Sequence, residues 1–261
     1  MKTLYTKLAE SFSDEKFKVT KNKVSKYVDL HGLSHFVSMK GKLYDEQKCR
    51  LFIIGRAVNG WGSFAFDDSE EFGSKAEREF AKEGFQWVVL DKNSLHNTPP
   101  LGSNDRVYYL SKSSFWRTSR QIFEYLSGNK SPNWVDYIAW SNIYKISPPD
   151  TGNPSTRMCK LQIEICREIL IKEIETYCPT HILFVTGWNW WFEDEQYGVS
   201  KLFSNCKFFG NNRRGNSVFV EGTAAYNARI PVVIACRPEQ RNEKEYVREI
   251  ISVFERSGCL I

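Results

Sequence analysis

The chain lacks a long apolar run, a paired cysteine motif and any break in composition, and each absence narrows what it can be. No segment approaches the roughly 20 apolar residues that span a bilayer. The first residues, Met1-Lys2-Thr3-Leu4-Tyr5-Thr6-Lys7, lack the apolar core of a secretory signal, so a soluble, cytoplasmic protein without membrane contact is expected. Seven cysteines (Cys49, Cys159, Cys166, Cys178, Cys206, Cys236, Cys259) are an odd number with no C-x-x-C pair. That argues against a disulfide framework and a closed zinc site; most are read as small core residues, and neither metal nor other cofactor is expected. No Pro-, Gly- or Ser-rich stretch divides the 261 residues and no internal repeat is visible, so the whole chain, 1–261, is read as one monomeric domain.

What is present points to an ordered α/β protein. Hydrophobic residues make up 41% and aromatics 15%, which excludes a disordered chain. A net charge of +5 is ordinary for an enzyme, but its distribution is uneven. Lys201, Lys207, Arg213 and Arg214 surround Phe208-Phe209-Gly210-Asn211-Asn212, and Arg237, Arg241, Lys244 and Arg248 follow the last apolar run. Basic residues interleaved with aromatics and amides suit phosphate contacts beside a stacking surface, although either cluster alone also fits a solvated face.

Residues 1–48 read as a helical N-terminal extension, with Val19, Val24, Val28 and Leu30 as scattered apolar contacts. His31 and His35 have the spacing of a helical metal pair, but Gly32 weakens the helix and no third ligand is evident. Helical periodicity marks residues 115–126, stopped by Gly128, and most clearly the series Leu161, Ile165, Ile169, Leu170, Ile174 and Tyr177. Apolar runs at 51–54, 137–140, 181–185 and 232–235 read as strands, with another at 216–220 and a closing helix at 243–254. Alternating strands and helices predict an α/β fold of three layers, a central, mainly parallel sheet flanked by helices.

Three of these strands lead into chemically distinctive loops: Gly55-Arg56-Ala57-Val58-Asn59-Gly60-Trp61, Asn142-Ile143-Tyr144-Lys145-Ile146-Ser147-Pro148-Pro149 and Cys236-Arg237-Pro238-Glu239-Gln240-Arg241-Asn242. In an open α/β sheet, ligands bind outside the carboxyl ends of the strands, so the three loops are expected to meet there. Across about residues 50–256, their order and content resemble the uracil-DNA glycosylase superfamily, whose members flip a base from duplex DNA and cut its bond to the sugar. The first loop is most similar to the branches that read Gly-Glu-Ala-Pro-Gly and Gly-Leu-Ala-Pro, but the iron-sulfur cysteines are not matched. Ala57 stands where the family usually has an Asp or Asn that orients water. Asn59, whose amide both donates and accepts, is favoured for that task, with Asp67 and Asp68 as carboxylate alternatives that also read as a helix cap.

The second loop resembles the family's Thr-Asn-Val-Val-Lys-Cys-Arg-Pro-Pro, which implies that Asn142 reads the edge of the flipped base; an amide suits uracil or, reversed, cytosine. Arg56 cannot act as a base and joins Phe66 and Phe115 among the expected base-binding residues, with Trp61, Phe64 and Trp116 as further stacking surfaces. The third loop resembles His-Pro-Ser-Gln-Gln-Asn, with Arg237 in place of the His that stabilises charge on the departing base. A guanidinium can do so but cannot transfer a proton. Gln240 and Arg241 are the expected wedge into the duplex, and Arg213, Arg214 and Lys244 the expected phosphate contacts. The tyrosine that bars C5 substituents in uracil-specific members is replaced by Asn59. The resemblance therefore implies a DNA glycosylase for a bulky modified cytosine of phage DNA, ahead of uracil or deaminated purines. A catalytically inactive DNA-binding protein of the same fold, or a hydrolase of free nucleosides, are the rival readings.

Overall fold

The computed structural model describes residues 1–21, 24–58, 68–85, 113–149, 152–192, 198–210 and 218–257. Helix α1 (Lys2–Glu10) leads into a hairpin of β1 (Phe17–Lys21) and β2 (Val24–Val28), followed by two-residue strands β3 (Ser34–His35) and β4 (Met39–Lys40), then β5 (Leu51–Gly55). Helices α2 (Ser69–Phe80) and α3 (Ser114–Ser127) precede β6 (Ala139–Asn142) and β7 (Ile146–Ser147). The long α4 (Thr156–Tyr177) feeds β8 (His181–Val185) and the short α5 (Trp188–Trp191). The chain ends with β9 (Ser204–Phe208), β10 (Val220–Tyr226), β11 (Ile230–Ala235) and α6 (Glu243–Arg256).

Seven strands form one sheet in the order β4-β6-β5-β8-β11-β10-β9. The four central strands run parallel, and β4, β10 and β9 add antiparallel margins, so the sheet is mixed with a parallel centre. Every residue of β5 and β8 is buried, as expected of parallel strands covered on both faces. Alternation along the strands assigns the two faces. Ile53, Leu183 and Val233 pack with Ile122 and Phe123 of α3 and with Ile250 and Phe254 of α6. Phe52, Ile54, Ile182 and Phe184 pack instead with Ile163, Leu170 and Ile174 of α4. This is the three-layer arrangement, α3 and α6 on one side and α4 on the other.

Residues 1–48 depart from the helical extension expected from sequence. Only α1 is helical at any length. Phe17, Val19, Val24, Tyr27 and Val28, β-branched or aromatic, make a hairpin instead. The segment is also woven into the rest of the fold, since β3 pairs with β7 and β4 with β6. His31 lies in a single tight turn and His35 in β3, so they share no helix face. His35 is buried against Phe72, and burial pushes its pKa down to about 3. Tyr137, read as strand, ends the short helical turn Trp134–Tyr137, and the strand extends instead to Asn142. Among the described residues no helix is long and apolar enough to cross a membrane.

The strand order has a functional consequence. From β5 the chain goes to β6 on one side of it, then crosses to β8 on the other. Connections leaving the carboxyl ends of β5 and β8 therefore diverge, and such a switch point opens a crevice where ligands sit.

Candidate functional site

A cavity of about 220 Å³ lies at this switch point, lined by Gly55, Arg56, Val185 and residues of the neighbouring strands and loops. Asn142, at the end of β6, sits opposite Gly55 in the parallel register. Its side chain lies across the Cα of Gly55, so closely that a Cβ there would collide with Asn142 Oδ1. Glycine at 55 is therefore a requirement of the amide beside it. Asn142 is 2% exposed, and its Nδ2 has no hydrogen-bond partner among the described residues. A buried donor left unpaired costs about 1–3 kcal/mol, so this NH₂ is a group that an added acceptor would satisfy.

The backbone around Asn142 is fixed from both sides. Ile143 and Tyr144 donate their N–H groups to the carbonyls of Gly55 and Arg56, each at 2.9 Å, which ties the first two loops together. Behind them Lys145 and Glu173 form an ion pair at 2.8 Å, both fully buried. Lys145 Nζ also donates to Ser141 Oγ at 2.6 Å and to the Asn142 carbonyl at 2.8 Å, while Ser141 Oγ donates to Glu173 Oε2 at 2.7 Å. The Gln162 amide accepts from the N–H groups of Lys145 and Ile146 and donates to the Ile146 carbonyl. A charge pair this deep is stable only when its remaining hydrogen-bonding sites are filled, and here Ser141 and a carbonyl fill several of them.

Two cations enter the cavity wall. Half-buried Arg56 donates Nε–H to the Thr186 carbonyl at 2.6 Å, and its guanidinium lies over the Trp190 ring at 4.9 Å. Burial first, and the charge of Arg237 second, lower its pKa to about 10, so it stays protonated at neutral pH. Arg237 is more exposed and is held by Glu239 Oε1, which accepts from Nε at 3.1 Å and Nη2 at 2.5 Å. Tyr246 donates to the Cys236 carbonyl at 2.8 Å and anchors the start of this loop. Phe115, Trp116 and Trp140 form the aromatic side of the cavity, with Trp116 and Trp140 edge-to-face at 5.0 Å. Gly152 and Asn153, just before α4, complete another wall.

Of the residues singled out from sequence, Arg56, Phe115, Trp116, Asn142 and Arg237 line this one cavity. Asp68 does not. It is the N-cap of α2, exposed, with its carboxylate accepting from Glu71 N–H at 2.7 Å; the charged side chain is committed to the helix terminus. Gln240, Arg241 and Lys244 are exposed beyond Arg237, Gln240 with a left-handed φ of 61°. Asn59, Phe66, Asp67, Arg213 and Arg214, with Trp61 and Phe64, lie outside the described residues. Two contributors were missed. Trp140 stands two residues before Asn142 on the same strand face, a signal available from period-two alternation. Glu239 lies two residues after Arg237, a spacing visible in the sequence that allows their pairing. No protein-family model matches this chain, and no curated protein matches it.

Proposed function

We propose that the protein is a monofunctional DNA glycosylase that flips a modified base into this cavity and hydrolyses its N-glycosidic bond, leaving an abasic site. The favoured substrate is a bulky modified cytosine of phage DNA, which would make the activity a defence against phage. The observation that carries the reading is the convergence of Arg56, Asn142 and Arg237 on one switch-point cavity, with the Asn142 Nδ2 donor buried and without a partner among the described residues.

In this reading Asn142 pairs with an acceptor on the edge of the base and the aromatic wall receives its face. As the bond from C1′ to the base nitrogen breaks, the electron pair leaves with the base, and the two guanidiniums stabilise the negative charge that builds there. Water adds its oxygen to the oxocarbenium-like C1′ and loses its proton to solvent. Positioning matters more than basicity in such a step. That role is given to Asn59, which directly follows Val58 of the cavity wall. Glu239 orients Arg237 by ion pairing.

The test is a panel of duplexes carrying uracil, hypoxanthine, xanthine, hydroxymethylcytosine or glucosylated hydroxymethylcytosine, scored for alkali-labile strand breaks. Breaks are expected with a modified cytosine and lost with Asn142→Ala. Duplex binding with no break in any arm would overturn catalysis in favour of a binding protein.

A further inference from the structure

The β1–β2 hairpin belongs to no part of the cavity, yet it carries the densest positive charge in the chain. From Lys16 to Val28 there are five lysines (Lys16, Lys18, Lys21, Lys23, Lys26) and no acidic residue. Strand pairing sets Lys18 opposite Tyr27 and Val19 opposite Lys26. Phe17 and Val19 are buried in the N-terminal core with Tyr5, Leu8 and Phe12, which anchors a hairpin that would be marginal alone. Lys16, Lys18 and Lys26 are exposed, and Tyr27 is 70% exposed beside them. A fold that gathers like charges on so small an element works against its own stability, so an external anion is the natural complement.

The hairpin's place narrows that anion. Glu15, just before β1, pairs with Arg157, whose guanidinium also lies over the Phe17 ring at 5.7 Å. Arg157 is in the first turn of α4, and Gly152 and Asn153 of the cavity wall precede it by only a few residues. The start of β1, flanked by Lys16 and Lys18, is thus tied to the first turn of α4, the helix that follows the Gly152–Asn153 wall of the cavity in sequence. Lysine ammoniums on flexible stems bind phosphates as point charges, without reading sequence.

We propose that the β1–β2 hairpin is an arm that grips the phosphate backbone of duplex DNA beside the cavity; the choice of DNA over other polyanions rests on the glycosylase reading above. Each phosphate neutralised releases counterions, so binding to B-DNA should weaken with salt by about 0.9 logarithmic units per contact and decade of salt. The experiment compares the wild-type chain with the variant Lys16→Gln, Lys18→Gln, Lys26→Gln on an unmodified duplex across a salt series. Circular dichroism confirms the fold of both, and vesicles containing phosphatidylserine serve as a parallel probe.

The expected result is a log–log salt slope shallower by roughly 2 to 3 in the triple variant, with excision at saturating DNA unchanged. An unchanged slope and affinity would overturn the arm, as would a loss confined to vesicle binding. The two readings fail separately. A wild-type protein that excises no base yet shows the lysine-dependent slope overturns the glycosylase and supports the arm. One that excises a base with lysine-independent affinity overturns the arm alone.

Discussion

The second and third loops reach the same cavity from opposite physical regimes. Asn142 and Lys145 are buried and over-determined: a charge pair, a serine and a glutamine amide hold the chain that presents one donor without a partner among the described residues. Arg237 and Glu239 are more than 40% exposed and held mainly by each other, beside a Gln240 in left-handed backbone. In the glycosylase reading proposed above, the contrast separates two tasks. A group that discriminates must keep its geometry before the ligand arrives, whereas one that meets a surface can remain in partial contact with water until the ligand excludes it.

The largest effect expected from breaking this contrast is on stability. Lys145→Ala leaves Glu173 buried without its partner and should cost about 3–5 kcal/mol in urea denaturation. Replacing the pair together, Lys145→Met with Glu173→Leu, should recover most of that. A single variant losing less than about 1 kcal/mol would show that the network is not what fixes the loop.

Next comes Arg237→Ala. Here stability should stay within about 0.5 kcal/mol of wild type, because the side chain is exposed. Single-turnover excision should fall about 100- to 1000-fold, the usual loss for one preorganised donor at a developing charge. Excision at the wild-type rate would remove Arg237 from the reaction and leave it a surface residue.

The smallest effect is expected from Glu239→Gln. An exposed ion pair contributes about 1 kcal/mol or less, so melting should scarcely move and excision should change by less than about tenfold. A loss of about 100-fold or more, with a shifted acid limb in the pH–rate profile, would instead give Glu239 the water-activating role assigned to Asn59.

These expectations differ in how much of their basis is visible in the sequence. The central strands were legible because double burial writes itself as unbroken apolar runs, such as Leu51-Phe52-Ile53-Ile54 and His181-Ile182-Leu183-Phe184-Val185. The N-terminal hairpin was not, since its lysines disguise the alternation of Phe17 and Val19 as charged helix. Asp68 was ambiguous for a related reason: by composition alone an aspartate before a helical run is a cap or a carboxylate that orients water, and its bond to Glu71 shows the cap. The antiparallel margins depend on pairings such as Thr223 with Lys207, which no local pattern announces. At the site, the loop heads were readable, while Glu173 and Gln162, which hold the second loop from within α4, are distant in sequence and resemble ordinary helix residues.

The contact between Gly55 and Asn142 carries a consequence for how such a protein diversifies. Because the amide belongs to a strand end, its direction is inherited from sheet register, and a slip of one residue would turn it to the opposite face. Insertions and deletions in β5 or β6 are therefore closed to descendants of this sequence. A side chain larger than hydrogen at 55 is closed as well while Asn142 remains. In the loop after Arg237, Pro238 is buried and Asn242 caps α6, but the side chains of Glu239, Gln240 and Arg241 are exposed. Relatives should accordingly share the Gly–Asn pair as a unit, inherited or lost together, and differ from one another most in the exposed residues that follow the last strand.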